Sequence, residues 1–146
     1  MRPLRRFLAL PREQRRLALR AVWLLVYARV VLGMRGMAPF RNRLSGGAAN
    51  PGTSGGHPDP RTDWSEDAAR LVSAVQRNLP GHWSCLHAAL ALTLLLEENA
   101  LQPVLRIGAL KDSALFQAHA WVELNGVVLI GGHDAPERYV VFPRPA

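Results

Sequence analysis

The run from Cys85 to Asn99, CLHAALALTLLLEEN, constrains the fold more than any other stretch of this chain. It predicts a helix that starts near Ser84, ends near Asn99 and is apolar on nearly every side until Glu97. Such a helix has no polar face to give to water, so it belongs at the centre of a domain. The 146 residues are enough for one domain with a real core and not for two.

Two further helices precede it. Pro11 suits a first helical turn, and Arg12 to about Met34 then reads as one helix. Leu17, Ala21, Leu24, Ala28, Val31 and Leu32 fall near a 3.6-residue spacing. Val22, Trp23, Leu25 and Val26 broaden that side, which suggests burial against the domain or a partner. Gly33, Gly36 and Pro39 end the pattern. Asp63 or Ser65 can cap a second helix to about Asn78, with Ala68, Leu71, Val72, Val75 and Leu79 on its apolar face. Residues 45–60, SGGAANPGTSGGHPDP, have the composition of a flexible linker. The expected organisation is a basic helical segment over 1–44, that linker, and a core over 61–146, one domain overall.

After Asn99 the period changes. Val104 to Leu110 alternates like a strand, Ala114 to Leu124 follows, and Asn125-Gly126 separates it from Val127 to Ile130. Asn-Gly between such runs is a strong hairpin signal. Tyr139 to Phe142 reads as a last strand. Helices followed by an antiparallel sheet predict an α+β fold.

Charge is unevenly spread. Eleven of the eighteen basic residues lie in residues 1–44, where Glu13 is the only acid, and the net charge of the chain is +7. A basic front of this kind can meet nucleic acid, an anionic membrane or an acidic protein, or it can be a solvated helix face. The apolar run Phe7 to Pro11 is too short for the core of a signal peptide. The longest charge-free stretch of the first helix, Ala21 to Ala28, is less than half of the roughly 20 residues of a membrane span. The expected location is cytoplasmic.

One cysteine excludes a disulfide framework and a metal site built from several thiolates. A lone cysteine is most often a small buried hydrophobe. Cys85, however, opens the most apolar helix, where unpaired N–H groups and the helix dipole favour a thiolate. A nucleophilic thiol also needs a base. His119 lies in FQAHAWVEL, where alternation puts Gln117, His119, Trp121 and Glu123 on one face and Ala118, Ala120 and Val122 on the other. From that strand an imidazole can point at a helix N-terminus packed over the sheet.

Cys85-Leu86, the Ala89 to Leu92 run, Leu105 to Gly108 and Ala118 to Glu123 together resemble the transglutaminase-like peptidases of lasso-peptide biosynthesis. The segment FLALPREQRRLALRAVWLL also resembles that family's opening helix. The resemblance implies a papain-like or transglutaminase-like core and a cysteine peptidase that needs no cofactor or metal. It implies removal of the leader from a ribosomally made precursor, freeing an amine that a separate ATP-dependent cyclase joins to an acidic side chain. A separate leader-recognition protein is implied as partner, because the chain has no room for a fused one, and the cyclase is a further candidate partner. The first helix is a candidate docking surface for the recognition protein. Nucleic acid and membrane surfaces rank last as partners, since the front has few interleaved aromatics and no recognition motif.

The resemblance implies Cys85 as nucleophile, His119 as base, and an acid that orients the histidine. With Leu124 facing Val127, His119 faces Gly132, and Ile130 to Gly132 hold no acid. Asp134 is the candidate, reaching back if the strand ends or bulges; otherwise a carbonyl, a water or nothing orients the ring. Trp83 and Gln117 are the nearby side-chain donors for an oxyanion. His87 stands where the family often has Pro-Arg, and its side chain diverges from that of Cys85. The competing reading is a non-catalytic scaffold of the maturation complex with a degenerate site.

Overall fold

The computed structural model describes residues 11–44, 60–111 and 114–143. The linker expected at 45–60 therefore lies, up to residue 59, outside the described residues, as do residues 1–10.

Among the described residues, three long helices, a one-turn helix and one sheet build the domain. Helix α1 spans Arg12–Arg35, a short 3₁₀ turn spans Ala38–Arg43, α2 spans Pro60–Asn78 and α3 spans Cys85–Glu98. Strands β1 (Val104–Leu110), β2 (Ala118–Leu124) and β3 (Val127–Ile130) follow, then a one-turn helix α4 (Ala135–Arg138) and β4 (Tyr139–Val141). The four strands form one antiparallel sheet in the order β3-β2-β1-β4. The fold is α+β.

Helix α3 holds the central place its composition demands. Ala88 to Thr93, Leu95 and Leu96 are all buried. They pack with Ala21, Leu24, Leu25 and Ala28 of α1, with Ala68, Ala69 and Val72 of α2, and with Leu105, Ala120 and Val122 of the sheet. Truncating one of these leucines to alanine typically costs about 2–5 kcal/mol. At its C-terminal end α3 carries Glu97 and Glu98, where the dipole disfavours negative charge. Arg43 pairs with Glu97 at 2.8 Å, and Arg20 of α1 pairs with Glu98, offsetting that cost.

Through Ala21, Leu24, Leu25 and Ala28 the front helix is part of the core. By length and composition it also passes as a membrane span, because Arg20 and Arg29 are the only charges between Leu17 and Met34.

Two elements start elsewhere than expected. Helix α2 begins at Pro60, ahead of Asp63 and Ser65, and β2 begins at Ala118, after an exposed stretch from Ala114 to Gln117. The hairpin turn is as expected. Asn125 and Gly126 both have positive φ, +51° and +81°, the pairing that matches a turn to the right-handed twist of its strands. Leu124 pairs with Val127 and Glu123 with Val128, but Val122 pairs with Ile130. That bulge adds one residue to β3 and shifts everything beyond it.

After Ile130 the chain leaves the β3 edge and crosses one face of the sheet to add β4 beside β1. Ala135, Tyr139 and Val141 of this crossing cover Trp121 and Val128. The sheet is thus covered on both sides, by α3 on the face of Ala120 and Val122 and by the crossing on the face of Trp121.

Gly131 makes the crossing possible. Its φ is +102°, and a Cβ there would stand 2.5 Å from Trp121 Cβ and 2.9 Å from the Ala120 carbonyl oxygen. Gly131→Ala is expected to cost about 2–4 kcal/mol through strain and overpacking. Thermal unfolding of the variant checks this, and a melting temperature equal to the wild type's would contradict the crossing.

Candidate active site

Cys85 is the first residue of α3, half-buried and packed against the main core. The turn in front of it is held from two helices. Gln76 of α2 donates its amide N–H to the carbonyls of Trp83 and Ser84, at 3.2 and 3.1 Å. Arg29 of α1 donates to the His82 carbonyl and lies over the Trp83 ring, 5.0 Å from its centroid. Of the first N–H groups of α3, that of His87 is taken by Ser84, whose carbonyl accepts it at 3.1 Å, which leaves those of Cys85 and Leu86 facing the start of the helix. They are the donors available to an oxyanion. Trp83, an alternative donor, has its indole N–H committed to the Pro80 carbonyl at 3.0 Å. Gln117 is exposed in the stretch before β2.

His87 belongs to the cap of α3. Its Nδ1 accepts the Ser84 backbone N–H at 3.0 Å and lies 2.7 Å from the Ser84 hydroxyl. Accepting an N–H requires a lone pair on Nδ1, hence a neutral ring. Burial, and then the charge of Arg29, hold its pKa below the ordinary 6.5. Between that folded value and 6.5 the unfolded chain binds more protons than the folded one. This contribution to stability is therefore complete above the ordinary value and is lost as the pH falls from there through the lower folded value. His87→Gln keeps an acceptor and cannot titrate. Melting temperatures from pH 5 to 8 should fall less toward acid in the variant than in the wild type; equal slopes would contradict the cap.

His119 is the second residue of β2 and pairs with Gly108. Its Nε2 donates to the Gly131 carbonyl at 2.6 Å, since a carbonyl can only accept. In the neutral ring this leaves the Nδ1 lone pair as the proton acceptor. The ring stacks on Tyr139 with centroids 4.9 Å apart and lies 6.4 Å from Trp121. The same face carries a buried polar group: Arg106 donates to Glu123 at 2.9 Å, and the Trp121 indole N–H donates to the other Glu123 oxygen at 2.8 Å.

Asp134, the expected orienting acid, sits at the start of α4. Its carboxylate is exposed and pairs with Arg138 at 3.3 Å. The Gly131 carbonyl takes the position at Nε2. Because β3 ends at Ile130 and the backbone turns through Gly131 and Gly132, a carbonyl rather than a side chain reaches the ring first.

Cys85 and His119 lie at one end of the sheet. Arg43 reaches the C-terminal end of α3 while its neighbour Leu44 bridges to Leu105, so β1 starts there and runs back along the helix. The start of α3, the end of β1 and the start of β2 thus meet at the opposite end. Strand alternation, however, turns His119 to the face of Trp121, away from the face packed on α3. Among the described residues no hydrogen bond joins Cys85 to His119.

Gln76, Arg29, Tyr139 and the Gly131 carbonyl were not identifiable as site residues from the sequence. Only the Gly131-Gly132 pair carried a signal, that of a close backbone approach. A cleft of about 810 Å³ lies at the other end of α3, lined by Leu17, Arg20, Trp64, Leu71, Leu95 and Glu98, and is separate from this site. Among the described residues no cluster of three His, Cys, Asp or Glu could hold a metal.

In comparison with known proteins, the family model of the transglutaminase-like superfamily matches residues 22–144. No curated protein matches. No solved structure matches.

Proposed function

Since the chain belongs to the transglutaminase-like superfamily, we propose that it is a cysteine peptidase that removes the leader from a lasso-peptide precursor in the cytoplasm. The observation that carries this reading is the position of the chain's only cysteine, at the first turn of the central helix of a domain from that superfamily. A leader-recognition protein delivers the substrate, and a separate cyclase uses the amine that cleavage frees.

In this reading His119 Nδ1 takes the thiol proton and the Cys85 sulfur attacks the scissile carbonyl. The N–H groups at the start of α3 stabilise the oxyanion. The tetrahedral intermediate collapses to a thioester as the imidazolium gives its proton to the leaving amine. His119 then deprotonates a water, which adds to the thioester and releases the leader acid and the thiol. The Gly131 carbonyl holds Nε2–H throughout and stabilises the imidazolium. Hydrogen bonds of this kind often close only in the substrate complex.

The scaffold reading draws on a specific observation as well, the orientation of His119 toward the face of Trp121 without a bond to Cys85. One experiment separates the two. Iodoacetamide can label only Cys85 among cysteines, so cleavage of the precursor in the presence of the recognition protein should fall in proportion to labelling. Cleavage that persists at full labelling, or is absent from the unlabelled protein, rejects the peptidase.

A further inference from the structure

Gly108 of β1 pairs with His119 of β2 on one side and with Val141 of β4 on the other. Strands β2 and β4 are therefore about 10 Å apart, two interstrand spacings, and ordinarily a β1 side chain would stand between theirs. Here none does. The Tyr139 ring of β4 leans over the bare backbone of Gly108 and stacks on His119, with centroids 4.9 Å and planes 29° apart. The space is used fully. A Cβ on Gly108 would stand 3.2 Å from Trp121 Cη2 and 2.6 Å from the Val140 carbonyl oxygen.

We infer that Tyr139 positions the imidazole of His119 and so holds Nδ1 in its proton-accepting orientation, a role whose chemical meaning rests on the peptidase reading above. Tyr139 lies against one face of the ring, and Trp121 is close to parallel with it, 21° between planes. A ring held flat in this way keeps two orientations, related by a half-turn about Cβ–Cγ, because a perpendicular ring would drive its edge into Tyr139. The Gly131 carbonyl, 2.6 Å from Nε2, selects the one that brings an N–H to it. The stack fixes the plane, and the carbonyl fixes the tautomer. A leucine at 139 would also cover Trp121, but it offers no flat face.

Tyr139 is itself held. Its backbone pairs with Leu110, its ring lies 6.1 Å from that of Trp121, and the Arg138 guanidinium is 5.8 Å from its centroid. Arg138 in turn pairs with Asp134 at 3.3 Å. The acid expected at the imidazole thus bears on it only through Arg138 and Tyr139. Trp121 is anchored separately, by its N–H to Glu123 at 2.8 Å.

The test compares the full chain with Tyr139→Leu and Tyr139→Phe by nitrogen NMR of the histidine rings, His119→Gln assigning the signals. In the wild type and Tyr139→Phe the neutral His119 ring is expected as a single Nε2–H tautomer, with an Overhauser effect to the ring at 139. In Tyr139→Leu a mixture of tautomers is expected. Single-turnover cleavage of the precursor should be about 10–100-fold slower in Tyr139→Leu at unchanged precursor affinity, the scale of a misplaced reacting group. Tyr139→Phe should stay within about 3-fold of the wild type, because the aromatic face remains. A leucine variant with the wild-type tautomer overturns the positioning role, as does a phenylalanine variant as slow as the leucine one. Should Tyr139→Leu not fold, the other two proteins decide: one tautomer with the ring-to-ring effect in both supports the role, and two tautomers in either overturns it. A wild type that does not cleave, with the tautomer lost in Tyr139→Leu, rejects the peptidase and leaves the positioning standing. Cleavage by the wild type with an unaltered tautomer in Tyr139→Leu does the reverse.

Discussion

His119→Ala is expected to slow leader removal by about 10²–10⁴-fold, the usual contribution of a positioned acid–base group. The ring has three attachments: its bond to the Gly131 carbonyl, the Tyr139 stack and contact with Trp121. Losing a hydrogen bond and a partly exposed stack costs about 1–2 kcal/mol, so the variant should still fold. Cleavage is therefore measured below the variant's melting point, under single-turnover conditions with saturating precursor. The rate of Cys85 alkylation at pH 7 is measured beside it. If His119 shares the thiol proton, that rate drops in the variant. Equal alkylation in wild type and variant, with equal cleavage, would leave the imidazole without a catalytic role.

Glu123→Ala is expected to cost about 3–5 kcal/mol, the scale of removing one member of a buried ion pair. Arg106 and Glu123 are each only 5% exposed, and Glu123 also accepts the Trp121 indole N–H. At about 2–4 °C per kcal/mol for a chain near this size, the melting temperature should fall by roughly 6–20 °C. Glu123→Leu/Arg106→Met removes both charges and should lose less than Glu123→Ala, because the ion pair is replaced as a unit by apolar side chains. A double variant less stable than the single would mean that the group acts through packing instead.

Helix α3 and the β2–β3 hairpin were legible in the sequence for different reasons. Ala88 to Leu96 is too apolar to be anything but enclosed, and Asn125-Gly126 specifies its own backbone conformation. The bulge between Val122 and Glu123 was not legible. Val127 to Ile130 is apolar throughout, so no alternation marks an extra residue. Helix α4 was missed because four residues containing a proline carry no period. At the site, the placement of Cys85 followed from the helix start. The partner of His119 did not, because a backbone carbonyl has no residue-type signature and Asp134, the nearest acid, turned to Arg138. Arg29 stands 53 residues from the carbonyl it holds, a separation no local pattern encodes.

The crossing that carries the chain from β3 to the far side of β1 also dictates an order of assembly. The hairpin of β2 and β3 closes over two residues, whereas β4 must find Gly108 to Leu110 from some thirty positions away. Contacts of that separation form late. Until residues 139–141 have left the ribosome, β1 offers a bare row of amide and carbonyl groups beside an unroofed tryptophan, and a neighbouring nascent chain can pair with it. Self-association during synthesis should therefore depend on how quickly the last strand arrives.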